Sequence, residues 1–456
     1  MTRITLAQAI EIALQHHEAG RLAQAAEIYQ QVLAQHPQHA EALHLLGAVE
    51  LQSGRPQRAV ELIGAAVALN PAAANFQCNL GEACRTARQF DRAEIALREA
   101  IRLDPQLPAS HHNMGLLLEE TERFADALAE FRAAVAIEPR YLEAHVAMAR
   151  TLYKMGELDD VVPAAARAVQ INPRHAIALT IGGTALTLGG KPSAGAQWLR
   201  AALEVDPASS SAWVFLARAM AKLGRHGECV EAHRRAIAAD PANPTMRNSL
   251  LLTLHYLTDM PPQDVAAEHR AWAAAEVDAL AANVPPHAND SDPDRRLRIG
   301  YVSGDFRFHA VGLFFQPLLR AHDRNAVEVY CYANVEKKPD AVTEQIKQLA
   351  DQWRDITTMT DEQAAEKIRA DGIDILVDLS GHTAGNRLHV FARRPAPIQV
   401  SYLGYPGTTG LRAIGHRITD VLADPPGMTD HLYTEQLVRL PQVFLCYAPP
   451  PTAPDV

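Results

Sequence analysis

Seven prolines recur at intervals of 34 residues, at Pro37, Pro71, Pro105, Pro139, Pro173, Pro207 and Pro241. Other positions keep the same register. Twenty-four residues before each proline stands a small residue, Ala13, Gly47, Gly81, Gly115, Ala149, Gly183 or Ala217, as two closely crossing helices require. Five residues before each proline stands Val32, Ala66, Ala100, Ala134, Ala168, Ala202 or Ala236. Gly20, Gly54, Gly156, Gly190 and Gly224 mark the loop inside each unit, where a left-handed helix C-cap costs glycine little. Proline then ends the second helix, since it lacks an amide hydrogen and its ring clashes with the preceding turn. More than half of the chain therefore reads as a solenoid of helix pairs, each burying its apolar face only against its neighbours.

This period identifies tetratricopeptide repeats, seven of them over residues 6–243. A chain of 456 residues exceeds one hydrophobic core, so further domains are expected. The net charge of −10 argues against nucleic acid as the main partner. No apolar run of about 18 residues offers a membrane span. The opening MTRITLAQAIEIALQHH reads as an amphipathic helix, unlike a signal peptide. Five scattered cysteines, Cys78, Cys84, Cys229, Cys331 and Cys446, lack metal-ligand spacing and read as reduced thiols in a cytoplasmic protein.

After the seventh proline the register stops. RNSLLLTLHYL and DVAAEHRAWAAAEVDALAA remain helical, and VPPHANDSDPDRR has the composition of a linker, so residues 244–294 read as a capping helix and connector. From residue 295 strands alternate with helices. LRIGYVSGDF, VEVYCYANV, IDILVDLSG, APIQVSYLGYPG, HRITDVLADP and LVRLP read as strands, and VGLFFQPLLRAHD, DAVTEQIKQLADQWRDI and DEQAAEKIRADG as helices. Alternation of this kind implies a parallel α/β sheet buried on both faces. Ligands of such sheets bind beyond the carboxyl ends of the strands.

Three strand ends there are rich in polar chemistry. The first carries Ser303, Gly304, Asp305, Phe306 and His309; the second Asp378, Ser380, Gly381, His382, Thr383 and Gly385; the third Gly404, Tyr405, Pro406, Gly407, Thr408, Thr409 and Gly410. Glycines at a helix entrance can present amides to phosphate, and a nearby histidine can contact an anion or move a proton. A lone loop histidine is more often structural; three such loops on one rim point to a site.

RIGYVSGDFRFHAVG and ILVDLSGHTAGNRLHVFARRPAPIQVSYLGYPGTTG, placed after tandem repeats, resemble the O-linked N-acetylglucosamine transferases and their SPINDLY-like bacterial relatives. The resemblance implies an α-solenoid followed by the first Rossmann-like lobe of a GT-B glycosyltransferase, residues 295–456. It implies transfer of N-acetylglucosamine from UDP-N-acetylglucosamine to Ser or Thr of proteins, with no metal and no other cofactor. By the same resemblance His309 lies over the donor sugar and phosphates. Leu403, Gly404, Tyr405, Pro406, Gly407, Thr408 and Thr409 line the sugar and acceptor cleft; Asp305, His382 and Thr383 are candidates from their place at the neighbouring strand ends, His382 standing where some relatives have another residue. His255 matches a histidine proposed as base or acceptor contact, a packed helix histidine being the alternative reading.

The family continues through a second lobe that supplies most nucleotide contacts. The resemblance therefore implies an incomplete transferase, expected not to bind UDP at micromolar concentration unless that lobe is supplied. Its rim of Leu403, Tyr405 and Pro406, with the loops at Asp305, His309 and His382, is expected to face solvent and to favour self-association. A non-catalytic protein-binding scaffold with a degenerate lobe is the alternative.

In the repeats, Asn79 and Asn113 occupy equivalent positions on first helices, where an amide can grip a peptide backbone without reading its sequence. Asn79→Ala with Asn113→Ala should weaken capture of protein partners in a pull-down, and unchanged capture of every partner would exclude the role.

Overall fold

A computed structural model describes residues 5–282, 284–290, 292, 294–336 and 338–449. Residues 450–456 of the expected lobe, and positions 283, 291 and 293 of the linker, lie outside them. The chain divides into two compact units, Met1–Ala219 and Met220–Val456.

The first unit is a succession of helix pairs: α1 (Leu6–Glu18) with α2 (Leu22–Gln35), α3 (Ala40–Gln52) with α4 (Pro56–Leu69), α5 (Ala74–Thr86) with α6 (Phe90–Leu103), α7 (Pro108–Glu120) with α8 (Phe124–Ile137), α9 (Leu142–Met155) with α10 (Leu158–Ile171), and α11 (Ala176–Leu188) with α12 (Pro192–Val205). The small residues of the first helices sit where a second helix presses closest. A Cβ on Gly81 would stand 2.4 Å from Leu97, and one on Gly115 would stand 2.5 Å from the Phe131 ring. At the equivalent position of the fifth repeat stands Ala149, which is buried. All seven residues five places before the prolines are buried as well.

Helices α13 (Ser210–Lys222) and α14 (His226–Ala239) follow. The second unit then places α15 (Pro244–Leu254) and α16 (Pro262–Glu276) ahead of a seven-stranded sheet. Its elements are β1 (Leu297–Ser303), α17 (Ala310–Ala321), β2 (Val327–Ala333), α18 (Ala341–Leu349), β3 (Gln352–Asp355), α19 (Asp361–Ala370), β4 (Ile375–Asp378), α20 (Leu388–Ala392), β5 (Ile398–Ser401), β6 (His416–Asp420) and β7 (Gln436–Leu440). The order is β3-β2-β1-β4-β5-β6-β7, with every neighbouring pair parallel. This is the expected α/β lobe, and all strand carboxyl ends share one rim. Among the described residues no helix is long and apolar enough to cross a membrane.

One segment departs from the sequence reading. DAVTEQIKQLADQWRDI is not one helix: α18 ends at Leu349, Ala350 turns extended, and Gln352–Asp355 pairs with β2 as the edge strand. Edge position relaxes the need for apolar residues, so QWRD carries only Trp353 inward, where it meets Phe306. The connector is also no free tether. Asn289 donates to Gly372 O and Ile373 O at the amino end of β4, and Arg295 pairs with Asp374.

The glycines inside the repeats do adopt the left-handed region, with φ of +71°, +75°, +81°, +80° and +69° at Gly20, Gly54, Gly156, Gly190 and Gly224. Two repeats lack glycine there, and the register forces Arg88 (φ 59°) and Glu122 (φ 60°) into the same conformation, which strains a side-chain-bearing residue by about 1 kcal/mol or more. Arg88→Gly and Glu122→Gly should each stabilise the chain by about 0.5–1 kcal/mol in urea unfolding, the relief being partly offset by glycine's larger unfolded-state entropy.

Candidate active site

The β1 end leads into α17 through Asp305 and His309. Asp305 is buried, accepts from Arg307 at 2.8 Å, and takes its own backbone orientation from Ser303 Oγ at 2.9 Å. His309 caps α17, its Nδ1 accepting from Val311 N at 3.3 Å. A neutral ring in that tautomer carries its proton on Nε2, pointing away from the helix. The side chain is 39% exposed, so this edge is open at the mouth of a helix N-terminus.

The β4 and β5 ends close on α15 and α16. His269, on α16, is fully buried: its Nδ1 lies 2.7 Å from Val265 O and its Nε2 2.7 Å from Tyr405 Oη. Donation to the carbonyl fixes the proton on Nδ1, so Nε2 accepts from the Tyr405 hydroxyl. His382 is equally buried, with Nε2 2.8 Å from Thr409 O and Nδ1 2.8 Å from Asn248 Oδ1 on α15. Trp272 meets the His382 ring edge-on at 4.6 Å. His255 completes the cluster, 5.3 Å from Tyr405 and 5.2 Å from His269 between ring centroids. Its Nε2 is buried without a hydrogen-bond partner, beside a cavity of about 210 Å³ lined by Leu257, Met260, Val265, Pro406 and Tyr433. Tight contacts need glycine here. At Gly410 (φ +78°) a Cβ would stand 2.4 Å from His269 O, and at Gly407 one would stand 2.5 Å from the His255 ring. Leu403, at φ 67°, holds a left-handed conformation without being glycine, a strain of the kind stored at functional loops.

Burial revises the expected rim. Tyr405 and His382 do not face solvent; each is nearly inaccessible beneath α15 and α16. Leu403 and Gly404 are half-buried and Pro406 alone of this set is exposed, so no sticky apolar rim of Leu403, Tyr405 and Pro406 exists to drive self-association. The hydroxyls of Thr408 and Thr409 turn inward to Glu435, with Thr408 Oγ1 2.6 Å from its carboxylate. Thr383 stays half-buried, its hydroxyl donating to Ser380 O at 2.8 Å. The structure thus brings His255, His269, His382 and Tyr405 together. The polar partners of His309 and Asp305 come from their own loop and cap.

Reading the sequence missed His269, Trp272, Asn248, Arg417 and Glu435. His269 and Trp272 belong to EHRAW on an amphipathic helix, where histidine looks like any packed residue. In the repeats, the Asn79 amide lies 2.8 Å from His44 Nε2, and the buried Asn113 amide donates to Cys78 Sγ at 3.5 Å. A peptide would compete with those partners.

Residues 248–447 match the model of glycosyl transferase family 41. Tetratricopeptide-repeat models match 16–65, 45–108, 118–180 and 184–244. The chain is 40% identical over 231 residues to the probable UDP-N-acetylglucosamine–peptide N-acetylglucosaminyltransferase SPINDLY of Oryza sativa subsp. japonica, covering 50% of this chain and 25% of that protein. Over 151 residues it is 40% identical to the UDP-N-acetylglucosamine–peptide N-acetylglucosaminyltransferase of Caenorhabditis elegans, covering 33% and 13%. The matched part is thus a quarter or less of these relatives' length. Among solved structures, a mutant of the Thermobaculum terrenum O-GlcNAc transferase superposes with a TM-score of 0.60 at 39% identity, over 68% of this chain and 59% of that one. The family match begins inside α15, so it takes in His255, the turn after that helix, and all of α16.

The histidine cluster carries a pH signature. Burial lowers His269 to about 4 and puts His382 well below its ordinary value, whereas in an unfolded chain each protonates near about 6.5. The unfolded state then binds protons that the folded state refuses, so stability is full above about pH 6.5 and falls as pH drops toward 4. Asp378, raised to about 6 by burial, works in the opposite direction, as one carboxyl against several histidines, including His44, His112 and His233, each lowered to about 4. The urea midpoint should therefore fall between pH 6.5 and 4.5, and His269→Asn should flatten that slope while lowering stability at pH 7. A midpoint independent of pH in this window would contradict the neutral cluster.

Proposed function

We propose that this chain, whose residues 248–447 form a glycosyl transferase family 41 domain behind tetratricopeptide repeats, serves to transfer N-acetylglucosamine from UDP-N-acetylglucosamine to Ser or Thr hydroxyls of proteins. One observation carries the reading most. Within the family-matched stretch, three glycine-rich loops at the carboxyl ends of β1, β4 and β5 share a rim, and beside it stand His255, in the turn after α15 with its Nε2 unpartnered, and His269 on α16, bonded to Tyr405.

Transfer requires that an acceptor hydroxyl lose its proton, that the sugar's bond to the diphosphate break, and that the leaving charge be stabilised. His309 suits the last task in this reading: its outward Nε2–H, at the positive end of the α17 dipole, favours an anion. His255 suits the proton. Burial and the Arg417 charge lower its pKa, so it is neutral at pH 7, with Nε2 unengaged at the cavity. Leu403 and Gly404, half-buried at the β5 end, would meet the sugar through backbone, with Asp305 fixing the neighbouring loop. The reaction uses no metal in this proposal. Protein acceptors would be held by the repeats, with Asn79 and Asn113 among the contacts, in the cytoplasm, where the buried free thiols Cys78, Cys84, Cys229 and Cys331 stay reduced.

Transfer from acetyl-labelled UDP-N-acetylglucosamine to proteins of a cell extract, measured with the full-length protein, tests the reading. His309→Ala should lower kcat by about 10²-fold or more while costing no more than one helix cap, about 1 kcal/mol, in stability. Absence of labelled protein with the wild type would leave the scaffold reading in its place, and unchanged kcat in the variant would remove His309 from the chemistry.

A further inference from the structure

Beneath the β5 loop lie two buried charged side chains contributed by elements downstream of it. Arg417, on β6, donates to Tyr405 O at 2.7 Å and Gly407 O at 2.9 Å, and it stands 5.4 Å over the Tyr433 ring. Glu435, just before β7, accepts from Thr408 Oγ1 at 2.6 Å, from Thr409 N at 2.7 Å and from Thr409 Oγ1. Neither residue is more than 4% exposed. Desolvating a charge in this way costs several kcal/mol unless backbone and side-chain dipoles replace water. Here both charges are met by the same five-residue stretch. Its irregular backbone is entered through Leu403 at φ 67°; Arg417 holds two of its carbonyls and Glu435 both threonine hydroxyls, while Thr409 O goes to His382 and the Tyr405 hydroxyl to His269.

We propose that Arg417 and Glu435 are positioning residues for the transfer site, a two-sided clamp that fixes Tyr405–Thr409 and with it the faces Pro406 and Gly407 offer to His255 and the cavity. The clamp rests on the transferase reading for its purpose but not for its geometry. Arg417 draws the Tyr405 and Gly407 carbonyls inward, and a planar trans peptide then turns the next amide the other way; the amide following Gly407 is that of Thr408, a residue that lines the cavity. Glu435 fixes the next two hydroxyls so that the loop cannot rotate about this point. A shift of about 1 Å in such a loop is enough to cost about 10²-fold in rate.

Amide hydrogen exchange and steady-state kinetics of the full-length protein separate clamp from core. In Glu435→Gln, exchange should rise at Leu403–Gly410 and stay unchanged across β1, β2 and β4, with kcat down about 10-fold or more at a temperature well below Tm. The double variant Thr408→Ala/Thr409→Ala should show a similar loss, and adding Glu435→Gln to it should cost little further, because the carboxylate acts through those threonines. Should Glu435→Gln not fold, Arg417→Lys keeps the charge while losing the fork to two carbonyls, and the same local rise in exchange is expected. Exchange that rises uniformly over residues 295–449, or additive losses in the combined variant, would overturn the clamp. If the wild type transfers no sugar, the transferase reading fails on its own, and the exchange data still decide whether the loop is held this way.

Discussion

The hydrogen bond from the Tyr405 hydroxyl to His269 Nε2, 2.7 Å long and shielded from water, is the contact on which the site depends. Either partner alone would be a buried polar group without a mate, a cost of about 1–3 kcal/mol. Together they tie α16 to the loop after β5. The tie works only because His269 is neutral with its proton on Nδ1, a state set by Val265 O one turn earlier. Once Tyr405 is seated, Gly407 lies against His255 and Gly410 against the backbone of His269, both too close for any Cβ. His382 repeats the arrangement from β4, joining Thr409 O to Asn248 on α15.

Charge supplies the second layer. Arg417, Glu435 and Asp378 are buried under the same loop, and replacing such groups with apolar residues is often neutral or even stabilising in other proteins. Their value here lies in the backbone they orient. Asp378 accepts from Ser380 N and Gly381 N, which shapes the turn carrying His382. Thus the turn after β4 and the loop after β5 are each shaped by a buried charge, while His255, His269 and Trp272, with Asn248 of α15, pack against them.

The repeats were legible because period is a one-dimensional signal: a proline, a small residue and a glycine at fixed offsets report helix end, helix crossing and loop. The sheet was legible from apolar runs, except at β3, whose QWRD has an edge strand's composition. The glycine-rich strand ends, and the place of His309 at the start of α17, could be read because they depend on local sequence. What could not be read depends on distant partners. His269 meets a tyrosine 136 residues later, and the threonines of the β5 loop turn away from the cleft because Glu435 stands 26 and 27 residues downstream. The same blindness made Tyr405 look like an exposed rim residue, since α16 covers it from far back in the chain.

Nitrogen chemical shifts of the histidine rings, followed from pH 7.5 to 4 by NMR of the labelled protein, test the account at its centre. The structure predicts that His269 stays neutral with its proton on Nδ1 until about pH 4, and that His382 titrates well below its ordinary value. A His269 that titrates near pH 6.5, or one protonated on Nε2, would mean that Tyr405 is not held by α16 and that the site is not assembled in this way.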